Sequence, residues 1–252
     1  GADRSRARVW CGTRSGGDGA GAAACRVKWG AMRDRIGGRT IRDGGTMHRP
    51  KNAVHGLVGI NGAGKTTLMN TLYGFVAPAG GSITLDGRPL RRRDIAYLES
   101  VNSFYPGMTG RDYLDLVAHY HPSFDPAPCI RRFRLPLDTP IENGSGGTRR
   151  KLALTAVLMQ RKRLVLLDEP FNGLDIESLY VAQQLILALG SEGRTVLVSS
   201  HVLATIEPLC DDLYLMDGGG IVRRYDRTEF RRAEREIEET FRRRYALGNP
   251  EN

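Results

Sequence analysis

A glycine-rich stretch near residue 60 restricts the folds open to this chain more than any other feature. Residues 59–67, Gly-Ile-Asn-Gly-Ala-Gly-Lys-Thr-Thr, fit the pattern G-x-x-x-x-G-K-[ST]. The apolar run 54–60, broken by His55, precedes this stretch, and the helix-compatible run 67–73 follows it. The pattern in this setting predicts a strand, a phosphate-binding P-loop and a helix.

Each residue type in this loop suits phosphate binding. Glycines let the backbone approach phosphate oxygens, while successive N–H groups and the helix N-terminus attract the anion. We expect Lys65 to reach the β- and γ-phosphates and the Thr66 hydroxyl to ligate Mg²⁺. A glycine-rich turn with a chance lysine is the alternative. The residues expected to bind nucleotide are Gly59, Asn61, Gly62, Ala63, Gly64, Lys65, Thr66 and Thr67.

Two carboxylates end a second apolar run. Residues 164–167 are wholly apolar, as a central parallel strand is, and Asp168 and Glu169 follow them. Ligands bind at the carboxyl ends of the strands in open α/β sheets, so this pair is expected at the ligand crevice. Asp168 suits a Mg²⁺ ligand, and Glu169 suits a general base that orients an attacking water.

Strand-like and helix-like segments alternate through residues 51–225. The alternation predicts an α/β fold of the P-loop NTPase type, with a mostly parallel sheet flanked by helices. A proline-rich stretch at about 105–150 is expected to be a small helical insert, with Thr109 as a helix N-cap. Outside the P-loop and residues 164–167, the clearest strand-like runs are 82–85, 94–98, 195–199 and 212–216, and the clearest helical ones are 151–160 and 177–189.

The two ends of the chain differ from this body. Residues 1–50 contain eleven glycines and carry +7 of the total charge of +9, without apolar periodicity. We expect a disordered basic segment there, with an aberrant stretch or an RNA- or membrane-binding arm as alternatives. Residues 226–252 predict a helix that packs on the domain, with a partner-binding face as the alternative, because one stripe carries Phe230, Ala233, Ile237, Phe241 and Tyr245.

Composition and charge distribution further limit the classes of protein to which this chain can belong. The four cysteines are scattered, which favours reduced thiols over a disulfide or zinc framework. No apolar run approaches the length of a membrane-spanning helix, so we expect none, and we expect no signal peptide. Because the basic charge lies mostly in residues 1–50, it does not indicate a nucleic-acid-binding face on the body.

Three further motifs carry a family resemblance. Ser145-Gly146-Gly147 lies 23 residues before Asp168, flanked by Gly144 and Thr148. Residues 171–175, Phe-Asn-Gly-Leu-Asp, follow the acid pair, and His201 follows a strand-like run. With the P-loop, these residues resemble the nucleotide-binding subunit of ABC transporters over roughly residues 54–225. They are similar to its L-S-G-G-Q signature (with Gly for Leu and Thr for Gln), its D-loop and its switch histidine.

The resemblance implies a subunit that binds and hydrolyses ATP with Mg²⁺, with Lys65, Glu169 and His201 as catalytic residues and Thr66 and Asp168 at the metal. It implies that Ser145, Gly146 and Gly147 bind the ATP of a second ATP-binding subunit, either a copy of this chain or a paralogue. ATP-driven dimerisation would power a separate transmembrane permease, with an exporter expected. The subunit would be cytoplasmic, peripheral on the inner face of the plasma membrane.

Two alternatives to a transport ATPase stay open. One is an ABC ATPase that acts on nucleic acid or the ribosome, although a nucleic-acid partner is not expected. The other is a degenerate nucleotide-binding subunit with little activity.

Two family positions are not matched. Ser100 aligns with a glutamine that contacts Mg²⁺ in the family, and Glu99 lies one residue earlier. The family's adenine-stacking aromatic residue lies on an early strand, but neither Trp10 nor Trp29 lies in a recognisable strand, so no residue is assigned to that role.

Overall fold

The computed structural model of the chain describes residues 25–29, 46–49, 53–78, 82–85 and 88–245. Its strands and α-helices, in chain order, are β1 Cys25–Trp29, β2 Thr46–Arg49, β3 Val54–Val58, α1 Lys65–Tyr73, β4 Ile83–Leu85, β5 Arg88–Pro89, β6 Ile95–Leu98, α2 Gly110–Tyr120, α3 Ala127–Phe133, α4 Gly146–Leu158, β7 Leu164–Asp168, α5 Ile176–Ser191, β8 Thr195–Ser200, α6 Leu203–Ile206, β9 Asp212–Asp217, β10 Gly220–Asp226 and α7 Phe230–Tyr245.

Six of the strands form one sheet in the order β10-β9-β3-β8-β7-β6. Every neighbouring pair is parallel except β10 with β9. The predicted mostly parallel sheet is therefore confirmed. The parallel direction brings the carboxyl ends of β3, β7 and β8 to one edge, with Val58 opposite Ser200 and Asp168 opposite Ser199.

A second, antiparallel sheet has the order β2-β1-β4-β5. Two of its strands, β1 and β2, lie within residues 1–50, and β1 ends at Trp29, for which the sequence showed no recognisable strand. The two strands are five and four residues long. Such short runs give no periodicity, and they are fixed by pairing with distant chain, such as Val27 with Leu85. Trp10 lies outside the described residues.

Helices pack on both faces of the central sheet. Successive residues of β7 point to opposite faces and enter different apolar clusters. Leu164 and Leu166 pack in the cluster that holds the buried side of α1, whereas Val165 and Leu167 pack in the cluster that holds α4 and α5. The sheet edge that carries the acid pair is thus held between two packed layers.

Two peripheral parts complete the described chain. Thr109 caps α2 as predicted, in a reciprocal capping box with Asp112. Helix α7 buries Phe230, Ala233 and Ile237 in the larger apolar cluster. Within the described part of the chain, no helix combines the length and apolar character that crossing a membrane requires.

Candidate nucleotide-binding site

The P-loop connects β3 to α1 at the edge where the parallel strands end. Gly64 is the N-cap of α1 and has φ 105°, a left-handed conformation that favours glycine. Gly59 lies against β9, since a Cβ added there would be 2.4 Å from the Met216 carbonyl oxygen. The loop is tied by hydrogen bonds from Ala63 N–H to Ile60 and from Gly219 N–H to Ala63. These contacts fix a loop whose path admits no side chain at Gly59.

Lys65 turns back into this loop. Lys65 is only 6% exposed, and its Nζ donates to the carbonyl oxygens of Gly59 at 2.7 Å and Ile60 at 3.3 Å. The same nitrogen lies 3.5 Å from Glu169 Oε1. The ammonium is therefore held at the sheet edge between the loop backbone and a carboxylate, within reach of both.

Thr66 and Asp168 meet beside the loop. Thr66 Oγ1 donates to Asp168 Oδ2 at 2.6 Å, and Ser199 Oγ donates to Oδ1 at 2.5 Å. The Asp168 side chain is fully buried. A hydroxyl and a carboxylate side by side are oxygen donors of the type that Mg²⁺ prefers. No sequence motif predicts this role for Ser199, because its place opposite Asp168 follows from strand order and register.

Glu169 lies between two basic side chains. Its Oε1 is 3.5 Å from Lys65 Nζ, and its Oε2 is 2.9 Å from His201 Nδ1. The carboxylate is largely buried, with 11% of the Glu169 side chain exposed. A carboxylate that contacts both an ammonium and an imidazole can take a proton from a water and share its charge with both neighbours.

The backbone of Glu169 is also unusual. Its φ is 49°, in the left-handed region that residues with a side chain rarely adopt. Its N–H donates to Ser199 Oγ at 3.0 Å, and its carbonyl accepts from Arg150 Nη2 at 2.7 Å. Burial lowers the pKa of Arg150 to about 10, although the charges of Asp168 and Glu169 raise it. No sequence motif predicts this contact of Arg150 with the Glu169 carbonyl.

Residues 145–147 form a separate group at the start of α4. Ser145 is the N-cap, and its Oγ accepts from Thr148 N–H at 3.1 Å. A Cβ added to Gly147 would lie 2.7 Å from the Gly173 carbonyl oxygen. Among the described residues, no hydrogen bond or ion pair joins this group to Lys65, Thr66, Asp168, Glu169 or His201, which contact one another.

The remaining candidate positions also have defined places. Asn61 and Gly62 are exposed at the loop, and Thr67 lies in the first turn of α1. Glu99 and Ser100 have exposed side chains just after β6, and the Glu99 carbonyl accepts from Arg150 Nη1 at 2.7 Å. Neither side chain makes a hydrogen bond to Thr66 or Asp168 within the described chain.

This geometry accompanies a family match. The profile of the ABC transporter family matches residues 44–172. The chain belongs to the ABC transporter family. ABC transporter ATP-binding subunits are ATP hydrolases, and this one is accordingly an ATP-binding, ATP-hydrolysing component of a membrane transporter. The predicted resemblance to ABC transporter ATP-binding subunits and the predicted P-loop NTPase fold are both confirmed.

Two curated relatives are informative. Lantibiotic transport ATP-binding protein SrtF of Streptococcus pyogenes is 32% identical over 207 residues, which are 79% of this chain and 90% of that protein. Nod factor export ATP-binding protein I of Ralstonia nicotianae is 29% identical over 205 residues, which are 75% of this ABC subunit and 63% of that protein. The chain thus spans less than two thirds of the second relative.

Solved structures share the fold. One described as the structure of the ATP binding subunit of an ABC transporter is 24% identical, with a TM-score of 0.73 over 84% of this chain and 93% of that one. A bacterial Atm1-family ABC exporter with ATP bound is 21% identical, with a TM-score of 0.70 over 88% of this chain and 42% of that one.

Proposed function

We propose that this ABC subunit powers an exporter and that Lys65, Glu169 and His201 carry out its ATP hydrolysis. The observation that carries the proposal is the position of the Glu169 carboxylate, in contact with Lys65 and His201 at the end of β7. A general base is needed to take a proton from the attacking water, and a carboxylate held by two basic groups suits that role.

The P-loop would bind the phosphates of ATP. The backbone N–H groups of the loop and the N-terminus of α1 attract anions, and Lys65 can exchange its bonds to two loop carbonyls for bonds to phosphate oxygens. This assigns phosphate contacts to the backbone of Gly59, Asn61, Gly62, Ala63, Gly64, Thr66 and Thr67.

Thr66 and Asp168 would hold Mg²⁺, because their adjacent oxygens match the ion's preferred donors. When bound, Mg²⁺ neutralises charge on the phosphates. Ser199 would keep the Asp168 carboxylate in place through its own hydrogen bond. Glu169 would accept the proton of the attacking water, and His201 would orient Glu169 and the water.

Residues 145–147 would complete the site of a second subunit. Their exposed helix N-terminus is suited to bind an anion. Within the described residues, they make no hydrogen bond to the P-loop, the acid pair or His201 of their own chain. We therefore infer a head-to-tail dimer, with a copy of this chain or with a paralogue, on the cytoplasmic face of a transmembrane permease. The names of the lantibiotic and Nod factor relatives favour export.

Magnesium-dependent ATPase activity of the purified chain tests the catalytic assignment. Glu169→Gln should lower turnover by about 10²- to 10⁴-fold, the usual contribution of a general base. ATP binding should survive, since the substitution removes a charge next to Lys65 and keeps the shape. Lys65→Ala should weaken binding itself. Glu177→Gln is the matched control, because Glu177 is exposed and pairs with Arg134 on the surface. Unchanged turnover in Glu169→Gln would contradict the assignment.

Oligomeric state and transport test the remaining parts. Glu169→Gln with ATP should run as a dimer by light scattering, because ATP stays bound, whereas added Ser145→Ala should weaken that dimer. The direction of transport can be measured as substrate uptake into inverted membrane vesicles from cells that coexpress the chain with its permease. ATP-dependent accumulation inside inverted vesicles supports export, and accumulation only in right-side-out vesicles would contradict it.

A further inference from the structure

We propose that Arg150 is the positioning residue that holds Glu169 in its reactive conformation. The proposal rests on the role proposed above for Glu169. Arg150 lies in the second turn of α4 and is only 5% exposed, directly over the end of β7. It belongs to none of the motifs that contact nucleotide.

All five N–H donors of the Arg150 guanidinium have an oxygen partner. Nη2 donates to the carbonyl oxygens of Asp168 at 2.6 Å and Glu169 at 2.7 Å. Nε donates to Pro170 O at 3.2 Å. Nη1 donates to Glu99 O at 2.7 Å and to Asn102 Oδ1 at 2.6 Å. One rigid planar group therefore joins the catalytic strand end to the segment that follows β6.

The conformation of Glu169 needs such support. A left-handed φ of 49° is unfavourable for a residue with a side chain and persists only where the surroundings fix it. Ser199 binds the N–H of Glu169 and Arg150 binds its carbonyl, so both sides of this residue are held. Because φ and ψ set where the side chain points, Arg150 controls the approach of the carboxylate to Lys65 and His201.

The chemistry of arginine explains why no smaller group would serve. A lysine has three donors and no fixed plane, so it cannot bind all of these acceptors at once. Burial of the guanidinium disfavours its charged form and lowers its pKa to about 10, while the charges of Asp168 and Glu169 raise it. Main-chain carbonyls replace the water that the buried charge has lost.

Turnover and nucleotide binding of Arg150→Lys provide the first test. We expect kcat to fall roughly 10- to 100-fold, because a displacement of about 1 Å can cost 10²-fold. Binding of a fluorescent ATP analogue should stay close to wild type, since the hydrogen bonds of Arg150 go to residues 99–102 and 168–170 and not to the P-loop. The control is Arg149→Lys, because Arg149 is exposed on the same helix. Equal kcat in the two variants would overturn the proposal.

A double-mutant comparison separates positioning from general destabilisation. If Arg150 acts through Glu169, Arg150→Lys should cause no further loss in the Glu169→Gln background. An added loss as large as in wild type would overturn the proposal while leaving Glu169 as the base. If Glu169→Gln alone loses nothing, the proposed function fails instead.

Hydrogen exchange gives a test that needs no turnover. In Arg150→Lys, residues 99–102 and 168–172 should exchange faster together, whereas Arg149→Lys should change neither. Asn102→Ala is the second variant, for use if Arg150→Lys does not fold, because it removes one side-chain acceptor of the Arg150 guanidinium. It should accelerate the same two segments to a smaller extent. Unchanged exchange at residues 168–172 in the folded variant would overturn the proposal.

Discussion

The two glycines at the start of α4 allow a matched test of how closely residues 145–147 pack against the segment that contains Gly173. A Cβ added to Gly147 would lie 2.7 Å from the Gly173 carbonyl oxygen, closer than the 3.0 Å that real Cβ atoms keep. A Cβ added to Gly146 would have no atom within 4 Å. Both residues occupy the first turn of the same helix. The substitutions Gly147→Ala and Gly146→Ala therefore differ mainly in this one contact.

The magnitude follows from two opposing effects. Alanine favours a helix over glycine by up to about 1 kcal/mol, and both variants gain this. Overpacking costs about 1–3 kcal/mol, and only Gly147→Ala incurs it. The atom that its Cβ would meet is the Gly173 backbone oxygen, which cannot move aside as the end of a flexible side chain could. We expect Gly147→Ala to be less stable than Gly146→Ala by about 1–3 kcal/mol, or roughly 2–12 °C in Tm for a chain of this size.

Thermal and urea unfolding of the two purified variants measure this difference. Activity supplies a second readout, since Gly173 belongs to the turn that begins at Glu169, where Asn172 N–H donates to the Glu169 carbonyl at 3.3 Å. A shift of Gly173 should move Glu169, so Gly147→Ala should also lower kcat. Equal stability of Gly147→Ala and Gly146→Ala would refute the packing distance on which this reasoning rests.

Two further predictions concern buried polar groups. Ser199→Ala removes the hydroxyl that binds both the Asp168 carboxylate and the Glu169 N–H. The free energy of unfolding should therefore fall by about 1–3 kcal/mol, and the ATPase should require a higher Mg²⁺ concentration. An unchanged Mg²⁺ dependence would contradict this prediction. Burial alone would raise the pKa of Asp212, but the hydrogen bond and charge of His55, with Arg224, outweigh burial and lower it. Its stabilising effect is therefore present above the pKa of an unfolded aspartate, near 4, and is lost as the pH falls through the lower folded value. Asp212→Asn should flatten the loss of stability in acid denaturation, and an identical acid profile would argue against it.

The parts of the site that could be predicted from the sequence are those that each lie within a single continuous segment. Residues 59–67 and the acid pair at 168–169 sit at strand ends, and the parallel sheet brings those ends together. Ser199 could not be predicted to bind Asp168, because that contact depends on β8 lying beside β7 in one register. Arg150 could not be predicted to bind Glu169, because α4 alone looks like an ordinary helix.

The antiparallel sheet was missed for a related reason. Strands β1 and β2 are held by pairing with each other and with β4, which lies more than thirty residues further along the chain than β2. A sequence pattern reports local periodicity, and strands this short do not show one. Prediction therefore succeeded where one segment carries a whole motif and failed where partners are far apart in the chain.

Helix α4 joins the two halves of the proposed catalytic cycle. Its first turn carries residues 145–147, proposed to meet the ATP of a second subunit, and Arg150 follows about one turn later, roughly 5 Å along the axis. Gly147 packs on Gly173 and Arg150 binds the carbonyl of Glu169, so the same helix contacts the catalytic segment at two points. A helix is too stiff to absorb a displacement within one turn. A movement of its first turn on contact with a partner therefore moves Arg150 as well, and it must either break the contacts with Gly173 and Glu169 or carry that segment with it.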